Sequence, residues 1–289
     1  MSVQNRKLYT IKLRDRVIEL GRRTLIMGIL NITPDSFSDG GRFQDYDRAL
    51  ARAGELIDEG ADILDVGGES TRPGSAPTPV EVELERVLPI IREVRKISDI
   101  PVSIDTAKAE VARKALEAGA DIINDVSSLR FDPGMVRVAA DSGAPLILMH
   151  MLGTPKTMQE NPVYQSVLSE IIAFLEERMK FAGQNGVERS RIIVDPGIGF
   201  GKTVTHNLKI IRDLEALSCM DRPILLAASR KRFLGSITGR PEMQRELGTA
   251  VANAFGIAAG AHMIRVHDVA FHREAVLVAD ALGRASFSA

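Results

Sequence analysis

The hydrophobic positions of this chain fall into short, nearly uninterrupted apolar runs, separated by longer stretches where apolar residues recur every three to four positions. The runs at residues 25–30, 63–66, 102–104, 122–123, 145–149, 192–194, 224–227 and 263–266 have the brevity and β-branched content of strands buried on both faces. Between them the periodicity predicts amphipathic helices at about residues 46–59, 79–97, 107–118, 133–141, 164–185, 206–217, 244–259 and 270–282. Gly60-Ala61-Asp62 and Gly119-Ala120-Asp121 repeat the same helix-stop and strand-entry signal. Regular alternation of strand and helix predicts an α/β fold with a parallel sheet. Eight such units favour a closed (β/α)₈ TIM barrel over an open doubly wound sheet, and the first unit lacks the GxGxxG fingerprint of the latter. Ahead of the first unit, residues 9–20 (YTIKLRDRVIEL) alternate and turn at Arg14-Asp15, which predicts an N-terminal β-hairpin plugging the lower mouth of the barrel.

Composition narrows the picture modestly. With 289 residues, 45% of them hydrophobic, and no low-complexity linker, the chain reads as one domain over residues 1–289. A net charge of −1 gives no electrostatic footprint for nucleic acid or an anionic membrane. The single cysteine, Cys219, excludes an internal disulfide and a cysteine-based metal site. MSVQNRKLYT has no apolar signal core and no stretch is long and apolar enough to span a bilayer, so a cytoplasmic protein is expected.

A parallel barrel gathers the C-terminal ends of its strands into one cup. Those ends carry Asn31, Glu69-Ser70-Thr71-Arg72, Asp105, Asn124-Asp125, His150 after Met149, Asp195, Ser229-Arg230-Lys231 and Arg265-Val266-His267-Asp268. Asp105 before Thr106 and Asp195 before Pro196 could each simply cap the turn that follows. Taken together, acceptors (Asp105, Asp195), amides (Asn31, Asn124) and cations (Arg72, Lys231, Arg265) suit a flat polar heterocycle with an anionic tail. Ser70 and Ser229 lack an evident base partner, which leaves no candidate nucleophile. The segment 81–86 reads as a solvated helix face, and His206, His262 and His272 as structural. The small residues of segment 248–261 read as core packing or as the face of a homodimer.

NITPDSFSDGG at 31–41 and LDVGGESTRPGS at 64–75 resemble the two signatures of the dihydropteroate synthases, and SIDT, IND, DPGIGFGK, SRK and RVHD extend the resemblance along the chain. It implies an enzyme that condenses a dihydropterin pyrophosphate with p-aminobenzoate. The resemblance puts Asp195 on the paired donor edge of the pterin, and Asp105 and Asn124 on its remaining edge. It puts Lys231 on the ring carbonyl, Arg265 on the ring face and Met149 as padding. Arg265 and His267 would bracket the pyrophosphate, and the Asn31 carbonyl would supply the one protein ligand of a Mg²⁺ ion. Phe37, Thr71, Pro73 and Phe200, with Lys231, would form the p-aminobenzoate slot. Asp39 would face the positive charge that develops as pyrophosphate departs, and Arg72 is expected on the second of two Gly/Pro-rich loops that substrate would order. Ala227 and Arg232 depart from residues common in the family, near the p-aminobenzoate slot. Two rivals remain at this point: a corrinoid-type pterin methyltransferase on a similar barrel, and a non-catalytic pterin-binding paralogue.

Overall fold

The structure, a computed structural model, describes residues 6–32, 42–70 and 75–284. A two-stranded antiparallel hairpin, β1 (Tyr9–Lys12) and β2 (Val17–Leu20), precedes the barrel. The chain then runs β3 (Leu25–Asn31), α1 (Arg42–Asp58), β4 (Ile63–Gly67), α2 (Val80–Ile97), β5 (Val102–Asp105), α3 (Ala109–Ala118), β6 (Ile122–Asp125) and α4 (Met135–Ser142). It continues with β7 (Leu146–Met149), α5 (Val167–Gln184), β8 (Ile192–Asp195), α6 (Val204–Arg212), β9 (Leu225–Leu226), α7 (Arg232–Thr238), α8 (Glu246–Ala258), β10 (Met263–Val266) and α9 (Val269–Arg284). The eight barrel strands pair in parallel in the order β8-β7-β6-β5-β4-β3-β10-β9. The ring closes where Val194 bridges Ile224 and its N–H donates to the Pro223 carbonyl at 3.0 Å. This is the predicted (β/α)₈ barrel with its hairpin.

Strand alternation divides each strand between two environments. One set of side chains, including Ile26, Leu64, Val66, Ile104, Leu148, Val194 and Ile264, packs outward against the helices. The other set points inward, and its lower members Met27, Ile63, Ile122, Ile147, Ile193, Leu225 and Met263 form an apolar floor. Ile11, Leu13 and Leu20 of the hairpin seal that floor from below, so the hairpin is indeed the plug.

Three local readings change. Glu83 is fully buried and pairs with Lys108, because on α2 it shares the inward stripe of Val87, Ile90, Ile91 and Val94. The segment 81–86 is therefore only partly a solvated face. The small residues of α8 mostly face inward: a Cβ at Gly256 would lie 2.1 Å from the Leu226 side chain, so the helix can approach β9 closely only as glycine. An additional short helix, α7, follows β9 and ends on the left-handed Gly239.

Candidate active site

Two residues above the floor, the inward positions turn polar. Ile63 is followed by Asp65, Ile122 by Asn124, Ile193 by Asp195 and Met263 by Arg265. The pleat thus lifts a ring of polar groups directly onto an apolar base.

Arg265 is the centre of that ring. Its Nε donates to Asp65 at 2.6 Å and one terminal nitrogen donates to Asp105 at 2.7 Å. Asn124 turns its amide to the same Asp65 carboxylate, at 3.2 and 3.4 Å. Burial opposes charge on Arg265, but Asp65 and Asp105 more than offset it and hold the guanidinium above its ordinary value. Asp105 is left less favourable to charge: burial pushes its carboxyl up, Arg265 pulls it back, and the neighbouring Asp65 repels it. Two carboxylates share one guanidinium, so the cation gains more than either anion. Asp105 does not cap the following turn; its side chain is spent on Arg265.

Asp195 caps its turn and still faces the cup. Its Oδ1 accepts from the Gly197 N–H at 2.6 Å, a turn-capping bond. That bond leaves most of the acceptor capacity of a carboxylate for the cup. Burial pushes the Asp195 carboxyl up to about 6, against the Gly197 N–H and the positive charges of Lys231 and Lys202. The turn needs glycine: Gly197 has φ +69°, and a Cβ there would lie 1.9 Å from the His150 carbonyl oxygen.

Lys231 stands at the N-terminal end of α7, after the left-handed Arg230 (φ 55°). Its ammonium lies 4.2 Å from the centre of the Phe200 ring. Phe200 and Met149 share one apolar patch with Val126, Met151 and Met158. The structure therefore brings Lys231, Phe200 and Met149 to one side of the cup. Asn31 ends β3 opposite Gly67, where a Cβ would lie 3.5 Å from the Asn31 side-chain oxygen.

His267 Nδ1 lies 2.9 Å from the Ser229 hydroxyl, and the His267 N–H donates to the same oxygen at 3.2 Å. Ser229 thus has a histidine partner after all. Burial first, then the charges of Arg230 and Arg265, push the imidazole down to about 3, so it is neutral at physiological pH. Such a weak base takes a serine proton poorly, and the pair serves to orient the ring.

Other strand-end residues turn out to face away. Met149 points inward, so the next residue, His150, points outward, against Phe174 at 5.0 Å and Tyr164 at 6.0 Å. Asp125 likewise leaves the cup and accepts from the N–H groups of Ser127 and Leu129, at 2.8 and 2.7 Å. His206, His262 and His272 keep structural roles: a helix cap, a bond from the Ile224 N–H, and a pair with Glu246. Phe37, Asp39, Thr71, Arg72 and Pro73 lie outside the described residues. Beside the second of those segments, Glu69 accepts from the Thr78 N–H at 2.7 Å and from Lys108 at 2.7 Å.

Two buried residues of this region escaped the sequence reading. Asp65 is one; its signal was an aspartate inside the apolar run ILDVG. Lys202, the last residue of DPGIGFGK, is the other. Its ammonium donates to the Phe200 carbonyl at 2.9 Å and lies 2.9 Å from His150 Nδ1; burial pushes it down to about 7. It ties the loops after β7 and β8 together beneath Phe200.

A closed parallel barrel with acceptors, amides and cations ringed above an apolar floor defines a barrel enzyme for a polar heterocycle. The model of the pterin binding enzyme family matches residues 27–267. The dihydropteroate synthase of Synechocystis sp. is 46% identical over 269 residues, which are 93% of each chain. That of Bacillus subtilis is 46% identical over 86% of this chain and 84% of its own. Among solved structures, the Xanthomonas albilineans dihydropteroate synthase with 4-aminobenzoic acid superposes with a TM-score of 0.90 at 41% identity, covering 97% of this chain and 100% of that one. The chain belongs to the pterin-binding enzyme family, and within it to the dihydropteroate synthases.

Proposed function

We propose that the chain joins the methylene carbon of 6-hydroxymethyl-7,8-dihydropterin pyrophosphate to the amino nitrogen of p-aminobenzoate. The products are 7,8-dihydropteroate and pyrophosphate, a step of folate biosynthesis. The observation that carries this reading is the convergence of Asp105, Asn124, Asp195, Lys231 and Arg265 on one cup. Asp195 is placed to accept from the exocyclic amine and adjacent ring N–H of the pterin, with Asp105 and Asn124 toward the other edge. Lys231 would donate to the ring carbonyl, Arg265 lies against the ring face, and Met149 lines the ring. Phe200 and Lys231 supply one side of the p-aminobenzoate slot. For its remainder, and for Asp39 and Arg72, the reading rests on the sequence motifs alone.

In the reaction the amine lone pair forms the C–N bond while the C–O bond to pyrophosphate breaks, and pyrophosphate leaves with that electron pair. The amine nitrogen then loses a proton. No side chain need form a covalent intermediate. The residues act by holding both substrates in line and by stabilising the departing anion. Mg²⁺ would neutralise charge on that anion. Mg²⁺ keeps waters and substrate phosphate oxygens as most of its ligands and needs few from the protein. Asn31 would be the single protein ligand. The test is pyrophosphate release from the dihydropterin substrate. The reading requires release to depend on both p-aminobenzoate and Mg²⁺; release that ignores p-aminobenzoate would sink it.

His267 gives a sharper test of the tail. Its neutral ring offers a hydrogen bond to the pyrophosphate but nothing to the pterin. His267→Ala is expected to weaken the pyrophosphate substrate by about tenfold, the worth of one hydrogen bond to a charged group, and a tail-less pterin hardly at all. Equal weakening of both in equilibrium titrations would make His267 structural.

We also read the protein as a homodimer in the cytoplasm. Leu247, Val251 and Phe255 form an exposed stripe on α8, beside exposed Phe271, Val278 and Leu282 on α9. A second copy of the chain would bury this face. Sedimentation velocity at micromolar concentration should show twice the chain mass, and Val251→Asp should halve it. A wild-type protein sedimenting only as single chains would contradict the dimer. Among the described residues no helix is long and apolar enough to cross a membrane.

A further inference from the structure

The pterin subsite depends on a residue that lies one pleat below it. Asp65 is fully buried, and through β-sheet register it sits beneath Gly67, the residue aligned with both Asn31 and Asp105. Its carboxylate holds Arg265 by Nε at 2.6 Å and Asn124 by its amide at 3.2 Å. Arg265 in turn spends a terminal nitrogen on Asp105, occupying an acceptor that a pterin edge needs. A ligand that takes the Asp105 oxygen bonded to Arg265 must therefore detach one end of Arg265 while the other end stays fixed.

We propose that Asp65 is the positioning residue of the pterin subsite, the fixed pivot on which Arg265 exchanges Asp105 for the bound ring. The proposal rests on the pterin reading above. The physical reason is the fork of the guanidinium. Nε and the terminal nitrogens are rigidly connected, so anchoring Nε fixes the plane in which the free end can move. With Asp65 neutralised, Asp105 becomes the only anion bonded to Arg265 among the described residues. Arg265 then holds Asp105 more tightly and competes with the ligand. Asn124 loses its charged acceptor in the same step. A lysine in place of Arg265 has no Nε and no fork, so in that background the pivot has nothing to turn.

The experiment is a double-substitution cycle read by equilibrium titration of the dihydropterin pyrophosphate, with steady-state kinetics and thermal melting alongside. Asp65→Asn is nearly isosteric and Asp65→Ala removes the acceptor; each is made in the wild-type chain and with Arg265→Lys. Asp65→Asn in the wild-type background should weaken pterin binding roughly 10- to 100-fold, the range for a hydrogen bond to a charged group, and Asp65→Ala at least as much. The KM for p-aminobenzoate should stay within about threefold. In the Arg265→Lys background the same changes should cost at least about threefold less, keeping only the share that runs through Asn124, because coupled residues are not additive. Equal loss in both backgrounds, or unchanged binding in well-folded Asp65→Asn, overturns the pivot. So does an Asp65→Asn chain that cannot fold while Arg265→Lys does, since that makes the role structural. Failure of the wild-type chain to bind the pterin would instead overturn the function on which the proposal rests.

Discussion

Replacing Asp195 by Asn is expected to cost about 2–5 kcal/mol in pterin binding while leaving the fold intact. Asn is almost isosteric, but it converts an acceptor into a donor facing the paired donors of the ligand. The retained amide oxygen can still accept from Gly197, so the turn keeps its cap. Stability should not fall at neutral pH. A carboxyl raised from 3.8 to about 6 in the folded state favours folding only while protonated. That contribution is complete below the unfolded value and is lost as pH rises through 6, so the variant gains relative to wild type over that window. Ligand binding has the opposite sense: the pterin needs the carboxylate, so wild-type affinity should decline below about pH 6 and the variant should lack that decline. Calorimetric titration across pH, with thermal melts as the folding control, checks both. Near-wild-type affinity in a folded variant would reduce Asp195 to its capping bond.

Arg265→Ala is expected to be the most damaging single change in the cup. It strands the fully buried Asp65 and the largely buried Asp105 without their shared cation. Removing one partner of a buried ionic cluster costs about 3–5 kcal/mol. Burial already raises the Asp105 carboxyl, and without Arg265 it should rise further. The sign follows: a raised carboxyl destabilises the fold where it is ionised, so the deficit should be largest at neutral pH and shrink on acidification. Chemical denaturation near neutral pH and near pH 5 measures this. Activity should be lost in parallel, because the proposed function puts the same side chain against the ring and toward the leaving group. A variant as stable as wild type at neutral pH would mean that the two carboxylates have other compensation.

The barrel was legible because its strands are short apolar runs at regular spacing, and because polar residues at inward positions two above the floor mark the cup. What resisted reading was direction. A strand end offers two adjacent residues to opposite faces, and only the pleat decides which enters the cup: Met149 does, His150 does not; Asn124 does, Asp125 does not. Asp65 hid for the converse reason, since an aspartate inside ILDVG carries no sign of its partner some 200 positions away. Glu83 looked solvated within a charged segment until the stripe of α2 placed it opposite Lys108. Ser229 and His267 are separated by 38 residues, and only the adjacency of β9 and β10 makes them a pair. The resemblance named Asp105, Asn124, Met149, Asp195, Lys231 and Arg265, which the structure brings to the strand ends of one barrel, but it did not contain the buried groups that orient them.

The most direct measurement is a crystal structure of the protein with the dihydropterin pyrophosphate bound. The account predicts the ring above the apolar floor, its exocyclic amine and ring N–H on the Asp195 carboxylate, Arg265 against its face and released from Asp105, and the tail toward His267 and Asn31. A pterin bound elsewhere, or one lying in the cup with Asp195 bonded only to Gly197, would contradict it.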